Sequence, residues 1–477
     1  MNSFQTKTIL ILSSLISPLG YAVVNGDFVD PSDYRDFTVR VISSDQEYCG
    51  GTMLTPNTLL TAKHCIDSDK VNDTITLIQG HDLNDPINRY DNVSVESYNV
   101  VDSMAHACDA QYYAHDIHSN RLVGTNLEDV SYYSYDWGRF PTKSDFIADC
   151  EANFDETQWK VRNMPDLVVV KLGSSLVLKS SPLLRTTGDA VESYVMSGDE
   201  VTARGWGQTE SGPQSTLLKQ ATLVLSAGHS KPYLRNGDDS LPSRAVCPFG
   251  TDPLECSFDP LFTDQYGFKV TGSHVAPGDS GSPLFTSSNE VIGLLSTVRF
   301  IDRDPSKDAI SADYVQYSAY NKFMLETVND LVMPSHVIAD AASGANYTFT
   351  LQNLSPANAN IVLVDGEIEP GLTAATTCPA TLAPNADCLV TLIVDGNQLG
   401  LAQGYEIEVK VSDSRSITLT TNSDSDSDSD EDKEEDDKDN DNGNEVTPTP
   451  DNGGSSGGSV GIFVLAMLGF VGLRRKF

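Results

Sequence analysis

From Val23 to about Met333 the chain consists almost entirely of short apolar and β-branched runs cut by Gly, Pro and Asp, as at Thr38–Ile42, Leu167–Leu172 and Val291–Val298. Such runs are too short for helices, and turn residues close them at both ends. The region is therefore restricted to strands arranged as a barrel or sandwich. One helical pattern, Tyr317–Leu331, closes it. Residues 104–163 break the pattern: they are acidic, Tyr-rich, irregular, and bracketed by Cys108 and Cys150.

A second alternating region follows over Val337–Thr421, with apolar runs at Tyr347–Leu351, Ile361–Val364, Leu389–Val394 and Ile407–Val411. With turns at Asp365-Gly366 and Asp395-Gly396, these 85 residues fit a small Ig-like sandwich. Two or three units are what 477 residues allow, at roughly 100–200 residues each. Residues 422–458 cannot be another: Asp424–Glu445 alone carries 13 acids against Lys433 and Lys438. Like charges repel and little can be buried there, so the segment is an extended spacer. The whole chain has 31 basic and 67 acidic residues, a net charge of −36, which argues against nucleic acid as a partner.

The two ends predict export. Lys7, the apolar Thr8–Ile16 and the small-residue site Gly20-Tyr21-Ala22 make residues 1–22 a secretory signal. Eight cysteines, an even number, suit the oxidising compartment this implies. At the far end Val460–Leu473 is apolar but only 14 residues long, short of the roughly 20 that a spanning helix needs. With Gly453–Gly458 before it and Arg474-Arg475-Lys476 after it, this end resembles the GlyGly-CTERM sorting tail of Gram-negative bacteria. That resemblance implies type II secretion machinery and a tail-processing membrane protease as partners, with residues 459–477 as the removable tail. A plain membrane anchor is the alternative.

Three segments carry the chemistry. Thr61-Ala62-Lys63-His64-Cys65 follows a strand, with Cys49-Gly50-Gly51 upstream. Asp166 stands immediately before the apolar Leu167–Leu172, and Gly278-Asp279-Ser280-Gly281-Ser282-Pro283 sets a serine in a glycine-rich turn. A serine hydroxyl is a poor nucleophile at neutral pH and needs an adjacent base. In the order His, Asp, Ser, and with Arg204-Gly205-Trp206-Gly207, these segments resemble the trypsin/chymotrypsin (S1) serine peptidases over residues 23–332.

The resemblance implies an all-β, two-barrel fold over residues 23–333 and a cofactor-free secreted endopeptidase acting on proteins or peptides. It assigns His64 as general base and acid, Asp166 as the group that orients the imidazole, and Ser280 as nucleophile. The Gly278 and Ser280 N–H groups would form the oxyanion hole, each donor worth about 3–4 kcal/mol. Asp279 would pair with the α-amino group of Val23, freed by cleavage after Ala22. It also implies a Cys49–Cys65 disulfide.

Departures from the family bear on specificity. His64 and Asp166 lie 102 positions apart, so residues 104–163 read as an inserted loop on the active-site rim. A Cys108–Cys150 bridge would close it, worth about 4 kcal/mol in the chain-entropy model. Proximity pairs Cys247 with Cys256 and Cys378 with Cys388. At the base of the primary pocket, where an aspartate selects Arg and Lys, stands His274. Ser296 falls in the substrate-binding segment, and Val298 and Ala312 occupy positions where trypsins keep glycine. The expectation is a preference for small or medium uncharged P1 side chains, with acidic P1 if His274 is protonated. His106, Cys108, His115, Asp116 and His118 invite a zinc reading, but a cysteine committed to a disulfide removes it, and no metal is expected. Two other functions stay open at this point: a catalytically dead scaffold used for adhesion or binding, and an esterase using the same triad.

Overall fold

The computed structural model describes residues 23–422 except 25, 46, 67–72, 111, 113–141, 157–163, 186–199, 210–212, 227–260, 265–274, 301–308, 341–344 and 396–405. The described residues belong to one compact unit, Met1–Ser425. The secretory signal, the acidic spacer, the apolar tail, His274 and the Cys247–Cys256 pair lie outside them. Among the described residues no helix is long and apolar enough to cross a membrane.

Alternation of buried apolar residues builds a closed six-stranded barrel from β2 (Thr38–Ile42), β3 (Tyr48–Thr55), β4 (Thr58–Thr61), β5 (Thr74–Gln79), β6 (Asn88–Asn99) and β7 (Val168–Leu172). A second sheet runs β1 (Asp27–Phe28), β9 (Lys219–Ser226), β10 (Leu261–Asp264), β13 (Ala309–Gln316), β12 (Val291–Phe300), β11 (Pro283–Thr286) and β8 (Glu200–Gly205). Because β8 pairs with both β11 and β9, this sheet also returns on itself. The molecule is mostly β, as the strand pattern predicts, with the two-barrel architecture that the resemblance implies.

The helix expected over Tyr317–Leu331 is shorter and mixed. A 3₁₀ turn at Tyr317–Tyr320 leads into an α-helix at Asn321–Val328. Asn329 then takes φ 47°, the left-handed conformation that ends helices, and β14 (Asp330–Val332) begins. The insert is also more regular than its composition suggests: residues 104–110 are helical, and a helix spans Lys143–Ala152, capped by Thr142. Cys108–Cys150 joins these two helices.

The C-terminal region forms a five-stranded sheet and a three-stranded sheet. The first runs β14, β16 (Ala345–Leu354), β21 (Asp387–Val394), β19 (Leu372–Thr376) and β18 (Gly366–Glu369). The second runs β15 (His336–Asp340), β23 (Ser416–Asn422) and β22 (Glu406–Lys410). Leu351, Val390 and Leu392 from the first and Ala339, Val409 and Leu419 from the second share one core. A short pair, β17 (Ala359–Asn360) and β20 (Thr381–Leu382), flanks them, and Cys378–Cys388 ties the segment after β19 to β21. Ile361–Val364, expected as a strand, makes only a bridge at Ile361. Its side chains still alternate, with Ile361 and Leu363 in the core and Val364 outward at 70% exposure, but the Val362 and Leu363 N–H groups share one acceptor, Val411 O, so no regular ladder continues. Val332 and Leu354 are buried in the same core as Val39, Leu59 and Val170 of the first barrel, so the two regions are packed without a gap.

Candidate active site

The register of the first barrel sets His64 beside Asp166. β4 and β7 pair antiparallel with Thr61 opposite Val168, so the end of one strand faces the start of the other. His64 sits in a 3₁₀ turn, Lys63–Cys65, three residues beyond β4, and the Cys49–Cys65 disulfide ties that turn back to β3. Asp166 lies two residues before β7. Its carboxylate accepts the His64 main-chain N–H at 2.9 Å and bonds His64 Nδ1 at 2.7 Å.

A third donor to Asp166 comes from the other barrel. The Ser296 hydroxyl donates to Asp166 Oδ2 at 2.7 Å. By sequence Ser296 belongs only to the substrate-binding segment, and a lone serine inside an apolar strand carries no signal for this longer reach. Burial disfavours the Asp166 charge, but its bonds to His64 and Ser296 and the charge of the imidazolium outweigh that and hold it below 3.8. Burial likewise disfavours the imidazolium, and the Asp166 hydrogen bond and charge outweigh it, so His64 titrates above 6.5.

Ser280 arrives on the turn before β11, and that turn is stitched to both barrels. The Gly281 N–H donates to Leu295 O at 2.7 Å and the Leu295 N–H to Ser282 O at 2.9 Å. The Gly50 N–H, on β3, donates to Ser280 O at 2.7 Å. Gly281 has φ +79°, and a Cβ there would lie 2.2 Å from Thr61 Oγ1 and 2.4 Å from Gly50 O. Only glycine lets the serine turn sit this close to the strand that leads to His64. The Ser280 hydroxyl donates to Ser296 O at 3.5 Å, and among the described residues it makes no hydrogen bond to His64. Such contacts are often long before substrate binds.

Behind the serine, Asp279 is wholly buried. Its carboxylate accepts the Gly207 N–H at 2.6 Å and the Ala276 N–H at 2.9 Å. Burial raises its pKa to about 6 against the pull of these bonds and of the nearby Arg40 charge. Val23 is also fully buried, in a core shared with Val275 and Leu284, and takes φ 46°. Its nitrogen is here a peptide amide, and among the described residues none of its bonds reaches Asp279. Among the same residues the Gly278 and Ser280 N–H groups have no acceptor. Gly278 has φ +96°, and Gln214 Nε2 would meet a Cβ there at 2.9 Å.

Of the pocket positions, Val298 and Ala312 are cross-strand partners on β12 and β13. In the insert, Cys108 is in a disulfide and His106 Nε2 bonds Glu326 at 2.7 Å. His115, Asp116 and His118 lie outside the described residues. Among the described residues, the group spaced to hold a metal is Cys49, His64 and Cys65, whose sulfurs are joined and cannot serve as thiolates.

A histidine–aspartate pair on one β-barrel, beside a serine turn from a second, is an arrangement of the kind that serine hydrolases use. The trypsin family matches residues 23–122 and 143–323, more than half of the chain, and the break in the match falls inside the insert. A protein described as trypsin from Saccharopolyspora erythraea is 22% identical over 309 residues, covering 64% of this chain and 98% of that protein. The chain belongs to the trypsin family and is a serine endopeptidase of that family.

Proposed function

We propose an exported endopeptidase in which His64, Asp166 and Ser280 carry out acyl transfer to water. The observation that carries this reading is the Asp166 carboxylate, which takes three donors from two barrels, His64 Nδ1 among them. With its proton on Nδ1, the neutral imidazole has Nε2 as its basic nitrogen. Nε2 takes the Ser280 proton as Oγ adds to the scissile carbonyl, then protonates the departing amine. Water, deprotonated by the same nitrogen, releases the acyl group. The acceptor-free N–H groups of Gly278 and Ser280 receive the oxyanion. A fluorophosphonate should label the wild type and leave Ser280→Ala unlabelled. Labelling with ester but no peptide hydrolysis would make this an esterase, and no labelling would leave a binding scaffold.

Export supplies the mature N-terminus in this reading, because cleavage after residue 22 frees the Val23 amine for Asp279. The φ of 46° at Val23 supports it: a β-branched residue is strained there by about 1–3 kcal/mol, and that torsion ceases to exist once the preceding peptide bond is cut. Secretion machinery then carries the chain outward, a tail-processing membrane protease removes residues 459–477, and the C-terminal sheets travel as an Ig-like module. Mass spectrometry of both termini of the secreted protein tests this. A mature chain beginning elsewhere than Val23 overturns it.

For specificity, Val298 faces Ala312 across the ladder where trypsins keep glycines, which narrows the entry to the primary pocket. Small or medium uncharged P1 residues should lead in a P1-varied peptide library. Replacing both Val298 and Ala312 by Gly should shift the preference toward larger side chains. Arg or Lys leading tenfold in the wild type would contradict the assignment.

A further inference from the structure

β2 reads Thr-Val-Arg-Val-Ile, and its middle residue departs from an otherwise apolar strand. Val39 and Val41 enter the core of the first barrel, so alternation turns Arg40 to the opposite face. There its side chain is sealed from solvent at 1% exposure. A guanidinium is costly to bury unless something fixed receives it.

What receives it is the loop that presents the serine. Arg40 Nη1 donates to Trp206 O at 3.0 Å and to Gly278 O at 3.2 Å, and Nη2 donates to the Gln214 side-chain oxygen. The Tyr48 ring covers it, 4.8 Å from the guanidinium carbon. Residues 206–208 and 276–279 are already laced together by the Gln208 N–H to Pro277 O at 2.8 Å and the Gly207 N–H to Asp279 at 2.6 Å. In a trans peptide the N–H points opposite its carbonyl, so the bond held by Pro277 O aims the Gly278 N–H away from Gln208. Arg40 holds the next carbonyl, that of Gly278, and so pins the peptide on the other side of the same glycine.

We propose that Arg40 is a positioning residue for the oxyanion hole: a side chain of the first barrel that clamps the two loops of the second and fixes the Gly278 N–H. Its charge also sits near the buried Asp279 carboxylate, without a direct ion pair. Burial lowers the Arg40 pKa only to about 10, so the clamp is charged throughout the working range. The inference rests on the oxyanion role assigned above to Gly278 and Ser280.

The test compares two inhibitors on one peptide frame, an aldehyde and the corresponding alcohol. The aldehyde gains a bond from Ser280 Oγ to its carbonyl carbon. The serine proton passes to His64, and a tetrahedral oxyanion forms, whereas the alcohol cannot form one. Arg40→Met should lower kcat by about ten- to a hundredfold with KM within about threefold, and weaken the aldehyde by a similar factor while the alcohol binds unchanged. Arg40→Lys, which keeps the charge but loses the fork, should recover part of the loss, and Gln214→Ala should show a smaller loss of the same kind. If Arg40→Met does not fold, the aldehyde-to-alcohol ratio in Arg40→Lys and Gln214→Ala decides. A ratio unchanged from wild type overturns the clamp. A wild type that itself shows no aldehyde advantage overturns the oxyanion assignment instead.

Discussion

His64 is subject to opposing influences on its proton, and the balance sets two different pH dependences. As a base it must be neutral, so kcat/KM should rise with pH through a midpoint above the ordinary 6.5. As a partner of Asp166 it stabilises the fold when charged. Its pKa is raised on folding, so this contribution is complete below 6.5 and lost as pH rises through the folded value. Asp166 is lowered, so its share is present above 3.8 and lost as pH falls through its own folded value. The pair therefore stabilises most between these limits, while the enzyme works above them. Asp166→Asn removes the charge and the favoured tautomer but leaves the burial. Its kcat should fall by about 10⁴, and the acidic limb of its pH profile should move below that of the wild type. A limb that stays in place would show that another group sets it.

Among the elements, the serine turn and β3–β4 depend on one close approach. Gly281→Ala would place a methyl against Thr61 Oγ1 and the Gly50 carbonyl at a φ that favours only glycine. The Gly50 backbone cannot yield, because its N–H already holds Ser280 O. The turn should lift, at a cost of about 2–3 kcal/mol in urea unfolding, and kcat/KM should drop about a hundredfold as serine and histidine separate. Wild-type activity in this variant would show that the contact is not needed. The pattern of His64, Asp166 and Ser280 is readable from sequence because each sits beside a strand with its own local signature. Gly50, Arg40 and the Asp166 bond of Ser296 are not readable. Each acts on a residue more than a hundred positions away, and alternation reveals a strand's faces but not what another barrel places against them. The helix at Lys143–Ala152 is hidden for a different reason: its sequence has no continuous apolar stripe, and a cap and a disulfide hold it instead.

At the scale of the molecule, the C-terminal sheets are part of the enzyme's own wall. Gln352 is buried against the protease region, accepting the Leu184 N–H at 2.9 Å and donating to Leu184 O at 2.7 Å. Gln352→Ala leaves both groups buried and unpaired. It should cost about 2–3 kcal/mol in unfolding free energy with kcat/KM little changed in the folded fraction. A chain ending at Asn422 keeps every described contact and should hydrolyse peptides within tenfold of the full chain, as kcat/KM comparison will show. That wall has a consequence in time. β14 pairs with β16, Arg415 bonds Asp330 at its start, and β15 lies parallel to β23, the last described strand. A parallel ladder between segments about eighty residues apart closes slowly and only when both have been made. During synthesis His64, Asp166 and Ser280 are therefore all made well before the strand that completes the β15–β23 ladder. Until β23 is made, the edge of β15 that it covers has no strand to pair with, and this part of the wall stays open.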